Sequence, residues 1–312
     1  MKKSSIPISV SRLLERLHLV PKSNPMLQLD SQTSIQPMPQ PTKTAVMVIG
    51  GAEDKVHGKE ILHTFFERAG SAEAQIAILP CASREPAILG ERYNGIFNEM
   101  GAKTVAVLDI RERDQCENVE WQEYLEGCTG VFLTGGDQVR LYDLLGGTPL
   151  MDKLRQRSQT RQITIAGTSA GAAVMGHHMI AGGGSGEHPS RSLVDLSVGL
   201  GIIPEIIVDQ HFHNRNRMAR LMGAIAAHPD KLGIGIDEDT CALFEGDGLL
   251  QVLGRGTITI IDPRDLSYTN YPHIEGSAPL SLHDLRVHIL CEGDRYNLSK
   301  RETIPPDRLL SR

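Results

Sequence analysis

A chain of 312 residues, 40% of them hydrophobic, is long enough to bury a large α/β core and excludes the smallest single-core folds. A formal net charge of −6 and a pI near 6.1 exclude a general affinity for nucleic acid or anionic membrane, so positive charge matters only where it clusters. The five cysteines (Cys81, Cys116, Cys128, Cys241 and Cys291) are scattered without a C-x-x-C pair, which argues against a disulfide framework or a cysteine-built zinc site and fits a reducing compartment.

Residues 1–43 are rich in Ser, Pro, Gln and Met and end on Gln36-Pro-Met-Pro-Gln-Pro41, the composition of a flexible N-terminal extension, in which only Val10 to Val20 has helical spacing. Two lysines open the chain, but Arg12, Glu15 and Arg16 interrupt it before an apolar core forms, so a secretory leader is not expected. No window approaches a membrane span. A cytoplasmic location is therefore the expectation.

Residues 44–312 read as a single α/β domain. Ala45 to Ile49 is a buried strand leading into Gly50-Gly51 and a helix around Gly58 to Arg68. Gln75 to Leu79 is the next strand, followed by a helix from about Ala87 to Met100, a strand at Thr104 to Leu108, a helix at Val119 to Glu126 and a strand at Gly130 to Thr134 that ends in Gly135-Gly136. Near-continuous apolar strands alternating with amphipathic stretches predict a mostly parallel, doubly wound sheet with helices on both faces. In such sheets ligands gather at the carboxyl ends of the strands.

The apolar run Ile163 to Ala166 leads into Gly167-Thr-Ser169-Ala-Gly171 and then a small-residue helix, which is the strand, sharp turn and helix of a nucleophile elbow. Glycines on either side leave room for strand and helix to approach while Ser169 Oγ projects outward. The pentapeptide alone is a weak signal, because a chain of this length and composition shows it by chance about one time in five. Its placement between an apolar strand and a helix is the stronger observation, set against a serine that merely caps a helix.

Beyond the elbow, His177 and His178 are expected on its helix, pointing away from the site. Gly182 to Gly186 is a loop leading to Glu187 and His188, Glu205 to Val208 is a strand, and Arg217 to His228 is helical. Gly233 to Ile236, Cys241 to Phe244, Leu249 to Leu253 and Thr257 to Ile261 read as short strands forming an antiparallel extension of the sheet.

A serine nucleophile needs a base, usually histidine, and the base needs an acceptor that fixes its tautomer. His211, directly after the apolar run Ile206-Ile-Val208, fits the base position best, ahead of His213 and His188. For the acid, Glu187, Asp195 and Asp209 all qualify by position. The order Ser169, Glu187, His211 is that of the α/β-hydrolases, but only about forty residues separate Ser169 from His211, too few for the strands and crossover helices that fold places there.

Four separated motifs occur in order: Ile49-Gly-Gly-Ala-Glu-Asp54, Thr134-Gly-Gly-Asp-Gln138, Gly167-Thr-Ser-Ala-Gly171, and Asp209-Gln-His-Phe212 followed by Arg215, Arg217 and Arg220. Together they resemble the cyanophycinases, serine peptidases related to the aspartyl dipeptidases, from about Lys43 to at least Asp262. The resemblance implies a class I glutamine amidotransferase-like sheet, a homodimer, and no metal or organic cofactor. It implies Ser169 as nucleophile, His211 as base and Glu187 as acid, with substrate contacts from Gln138, Asp209, Gln210, Arg215, Arg217 and Arg220.

The implied substrate is cyanophycin, a poly-aspartate backbone with arginine on each side chain, cleaved to β-aspartyl-arginine. Guanidinium forks suit its carboxylates, whereas its own arginines ask for acceptors such as Asp209. The backbone N–H groups of Ala170 and of Gly136 or Asp137 are the oxyanion candidates. A dipeptidase for short Asp-X peptides and a non-catalytic binder of acidic peptides are the competing readings; the first separates by turnover of polymer against dipeptide, the second by failure of a serine-directed probe to label Ser169.

Overall fold

Five short strands carry the centre of the molecule: β1 (Val46–Ile49), β2 (Gln75–Leu79), β3 (Thr104–Val107), β4 (Gly130–Leu133) and β5 (Thr164–Thr168). In the computed structural model, which describes residues 45–186, 188–246 and 248–306, they pair in parallel in the order β1-β5-β4-β2-β3. Crossover helices α1 (Glu60–Arg68), α2 (Pro86–Glu99), α3 (Val119–Gly127), α4 (Gln138–Leu145) and α5 (Pro149–Gln159) lie between them in sequence. The last two were not anticipated. Their starts are nevertheless marked, α4 by Asp137, whose carboxylate accepts from the N–H groups of Val139 and Arg140, and α5 by the Thr148 cap and Pro149.

Strands buried on both faces explain the apolar runs. Met47, Ile49, Ile76, Ile78 and Phe132 turn to one face, where they meet Ile61, Leu62, Phe65 and Phe66 of α1 and Tyr93 and Phe97 of α2. The rings of Tyr93 and Phe132 have centroids 4.6 Å apart, so this layer closes around an aromatic cluster. Val48, Ala77, Val131 and Ile165 alternate with them and are equally buried on the other face.

After β5 the chain makes only a four-residue helix, α6 (Ala170–Ala173), then β6 (His178–Gly183) and β7 (Val194–Val198), an antiparallel pair with a bulge between Ile180 and Gly182. His178 thus opens a strand rather than continuing a helix. At Gly176 a side-chain carbon would sit 2.1 Å from the Ile206 carbonyl, so this close approach of two backbones admits only glycine.

The C-terminal strands divide between two sheets. β10 (Thr240–Phe244) and β11 (Leu249–Gly254) extend the main sheet antiparallel from β1, and β16 (Arg295–Asn297) and β17 (Glu302–Ile304) complete nine strands. β8 (Ile206–Gln210), β9 (Leu232–Ile236), β12 (Ile258–Asp262) and β15 (Arg286–Leu290) instead form a second, four-stranded sheet, with β8 and β9 parallel. The expected antiparallel extension holds for Cys241 to Phe244 and Leu249 to Leu253. The other two runs leave it because β9 pairs with β8 and β12 pairs with β9 and β15. α7 (Met218–Ala227) covers this sheet through Leu221, Ala224 and Ile225, which pack with Ile207, Ile261 and Phe212. A minor pair, β13 (Tyr268–Thr269) and β14 (Leu282–His283), lies beyond.

The described residues lie in one compact unit, and residues 1–43, expected as an extension, fall outside them. No helix among the described residues is long and apolar enough to cross a membrane.

Candidate active site

Ser169 follows β5 directly and sits at φ 53°, ψ −108°, a conformation that costs an ordinary residue about 1–3 kcal/mol. Its flanking glycines have steric reasons to be there. A side-chain carbon on Gly167 would lie 2.3 Å from the Gly171 carbonyl oxygen, and one on Gly171 would lie 2.4 Å from that of Leu133. The Ser169 N–H donates to the Ile49 carbonyl at 3.0 Å, fixing the elbow to the end of β1. Ser169 Oγ then stands at the N-terminus of α6, over the carboxyl edge of the sheet.

His211 arrives from the second sheet, one residue past β8. Its backbone is also left-handed (φ 49°), and its N–H donates to the Gly50 carbonyl at 2.9 Å. Gly51 lies flat against the ring: a side-chain carbon there would come 2.4 Å from Cε1 and 2.5 Å from Nε2. So placed, Nε2 is 3.0 Å from Ser169 Oγ, and Nδ1 is 2.6 Å from Glu238 Oε1. Burial pushes the His211 pKa below the ordinary histidine value, while the hydrogen bond it donates to Glu238 pulls it back up. The imidazole is therefore neutral near pH 7, the form in which Nε2 can accept a proton.

Glu238 was missed in the sequence. Glu187, the acid implied by resemblance, lies outside the described residues. The other acids are engaged elsewhere or remote: Asp195 lies exposed on β7, and Asp209 is 1% exposed and paired with arginine. Among the rival bases, His188 is exposed, and His213 Nδ1 is 3.0 Å from Asp237. The signal that pointed to Gly50-Gly51 would also have pointed to Glu238, because β9 ends at Ile236 and Asp237-Glu-Asp239 follows it.

The oxyanion candidates separate. The Asp137 N–H donates to the Ala82 carbonyl at 2.8 Å and its carboxylate caps α4, so Asp137 leaves the set. Gly136 and Ala170 remain, and Gly136 adopts φ +146° with its α-carbon against Ala82, where a side chain would clash at 2.0 Å. Gly135 brings this loop to Ser169, since a side-chain carbon on it would meet Ser169 Cβ at 3.3 Å.

The arginine cluster does not present three free guanidinium forks. Arg220 grips Asp209 with two hydrogen bonds, Nε to Oδ2 at 2.9 Å and Nη2 to Oδ1, and both side chains are buried. Arg217 Nη1 lies 3.4 Å from Asp209 Oδ1 and donates to the Gln210 carbonyl at 2.5 Å. Burial pulls Arg217 down to about 10, so it stays protonated at neutral pH. Asp209 thus anchors two arginines. Only Arg215 is exposed. Gln210 faces the nucleophile, its Oε1 3.5 Å from Ser169 Oγ. Gln138 donates through Nε2 to the carbonyls of Ile180 and Ala181 at 3.1 and 2.8 Å, tying α4 to β6. Beside it a groove of about 410 Å³ runs past Gly136 and the exposed Arg84.

Among the described residues no group of three or more His, Cys, Asp or Glu side chains is arranged to hold a metal ion. Four of the five cysteines are buried and all are free, and burial pushes the thiols of Cys81 and Cys128 up to about 12. Those two thiols are protonated at neutral pH.

The model of peptidase family S51 matches residues 46–252. The cyanophycinases of Trichormus variabilis and of Nostoc sp. are each 64% identical over 287 residues, 92% of this chain and 96% of the relative. That of Geminocystis herdmanii is 62% identical over 260 residues, 83% of this chain and 96% of the relative. Among solved structures, a peptidase from an acI-B1 actinobacterium superposes with a TM-score of 0.59 at 21% identity, covering 85% of this chain and 98% of that one, a likeness of fold.

Proposed function

The chain belongs to peptidase family S51, and from that premise we propose that it is a cyanophycinase, a serine exopeptidase that releases β-Asp-Arg dipeptides from cyanophycin. The observation that carries the mechanism is the relay Ser169 Oγ to His211 Nε2 at 3.0 Å and His211 Nδ1 to Glu238 at 2.6 Å.

Ser169 Oγ attacks the carbonyl carbon of a backbone aspartyl bond while His211 Nε2 takes its proton. Glu238 holds the Nδ1–H tautomer and balances the imidazolium as it forms. The carbonyl oxygen, now negative, moves toward the N–H groups of Gly136 and Ala170. His211 returns the proton to the leaving nitrogen, an acyl-enzyme remains on Ser169, and water delivered through the same imidazole hydrolyses it.

Arg215, with Arg217 behind it, supplies positive charge near His211 for substrate carboxylates, Gln210 offers an amide beside the nucleophile, and Gln138 lines the groove that runs past Gly136. Asp209 and Arg220 support these contacts from beneath. We further propose a homodimer working in the cytoplasm; the free cysteines fit a reducing compartment.

Ser169→Ala is the direct test. Incubated with cyanophycin, the wild-type chain should yield β-Asp-Arg by mass spectrometry and the variant should yield none above background. Undiminished release by the variant would refute the mechanism.

A further inference from the structure

The motif Ile49-Gly-Gly-Ala-Glu-Asp54 contains a buried carboxylate that the relay does not use. Glu53 leaves the loop after β1 and turns inward, and its side chain has no exposed surface. Each oxygen has a partner. Oε2 accepts from Thr168 Oγ1 at 2.6 Å, and Oε1 accepts from Tyr93 of α2 at 2.5 Å and lies 3.0 Å from Lys55 Nζ. Lys55 reaches back to the Glu53 carbonyl at 3.1 Å and passes over the Tyr93 ring, its Nζ 5.5 Å from the centroid. A lone ionised carboxylate at such depth would be strongly destabilising; here one cation and two hydroxyls compensate it.

What these partners join is more telling than their number. Thr168 is the last residue of β5 and immediately precedes Ser169. The loop that carries Glu53 also carries Gly50, whose carbonyl receives the His211 N–H at 2.9 Å, and Gly51, which lies against the imidazole. The same loop's Gly51 carbonyl accepts from the Asp239 N–H at 2.9 Å, next to Glu238, and the Asp54 N–H returns a bond to the Asp239 carboxylate at 2.9 Å. Nucleophile and base come from different sheets, so something must fix one relative to the other.

We infer that Glu53 is the positioning residue that sets the Ser169–His211 distance: through the Thr168 hydroxyl it clamps the strand presenting the nucleophile to the loop cradling the base. It touches no reacting atom and acts only through Thr168 and the 50–54 loop. The strained Ser169 backbone gives the clamp its leverage, because a left-handed serine relaxes unless its neighbours over-determine it. Small misplacements of a nucleophile cost large factors in rate, so losing the clamp should lower kcat and leave KM nearly unchanged.

This inference rests on Ser169 as nucleophile, and the test keeps the two apart. Thr168→Val removes the hydroxyl and preserves shape, Thr168→Ser restores it, and both are compared with wild type for the rate of Ser169 labelling by a fluorophosphonate, for kcat and KM on cyanophycin, and for melting temperature. Expected for Thr168→Val is a fall of at least about tenfold in both labelling rate and kcat with KM within about twofold, recovered in Thr168→Ser. Tyr93→Phe, which removes the second hydroxyl farther from the elbow, should show a smaller fall of the same kind.

A wild-type chain that resists the probe overturns the nucleophile and the clamp with it. A wild-type chain that labels, beside a Thr168→Val chain that labels equally fast, overturns the clamp alone. So does a loss of kcat in Thr168→Val that Thr168→Ser does not recover.

Discussion

Replacing Glu238 with Gln isolates what its charge does for His211. The amide keeps the shape of the carboxylate and its oxygen can still accept from Nδ1–H, but it offers no negative charge to the imidazolium that forms when Nε2 takes the Ser169 proton. In an enclosed Ser-His-acid relay the corresponding change lowers kcat about 10⁴-fold. Glu238 is less enclosed: its side chain is 36% exposed, against 9% for His211, so water replaces part of the lost stabilisation. We therefore expect a fall of about 10³-fold in kcat, or about 4 kcal/mol of transition-state stabilisation. KM should hardly move. The assay is β-Asp-Arg release from cyanophycin, with Glu187→Gln measured beside it and expected to stay within about threefold of wild type. If Glu238→Gln keeps wild-type kcat and Glu187→Gln loses it, the acid is Glu187 and the contact at 2.6 Å is only structural.

Burial holds the His211 pKa below 6.5 and neutral imidazole is the active form, so kcat/KM should be flat through pH 7 and fall on the acid side below 6.5; an inflection at or above 7 in the pH–rate profile would contradict this. The sign for stability is the same: the folded state binds fewer protons at this site than the unfolded chain, so the stability His211 contributes is present above the unfolded value and is lost as pH falls through the folded one. Gly51→Ala places a carbon 2.4 Å from the imidazole at φ +98°, so the ring must shift; activity should fall by about 10² or more, with about 1–3 kcal/mol of backbone strain seen as a lower midpoint in urea. The arginines should respond differently from one another. Arg220→Met strips Asp209 of its two-bonded partner and should destabilise the fold by about 3–5 kcal/mol in chemical denaturation, whereas exposed Arg215→Ala should change stability by less than about 0.5 kcal/mol and raise KM for the polymer.

The parts of this molecule that can be read from sequence are those set by local chemistry. Continuous apolar runs announce β1, β2, β4 and β5, strands buried on both faces, and Gly167-Thr-Ser169-Ala-Gly171 announces a turn that admits no side chain on either flank. The helix expected after it ends already at Ala173, and at Gly176 the chain runs so close to the carbonyl of Ile206, thirty residues away in sequence, that a side-chain carbon there would lie 2.1 Å from it. The arginines mislead for the same reason. Three in six residues look like one cationic surface, yet Asp209, invisible as a partner until β8 and α7 pack together, draws Arg220 inward and leaves Arg215 alone outside.

The acid shows how far the strand-end rule reaches. His211 is legible because it follows an apolar run, and Glu238 follows another, but nothing local connects the two runs. What connects them is parallel pairing in register, Gln210 opposite Ile236, which brings the residue after β8 and the second residue after β9 to one edge of the second sheet. β9 is paired in turn with β12, and α7 packs against Ile207 of β8 and Ile261 of β12, contacts remote in sequence from both strand ends. Glu187, the acid implied by resemblance, precedes His211 in the chain, whereas Glu238 follows it. In the proposed relay the nucleophile comes from one sheet and the base and acid from another, and the order Ser169, His211, Glu238 follows from that division.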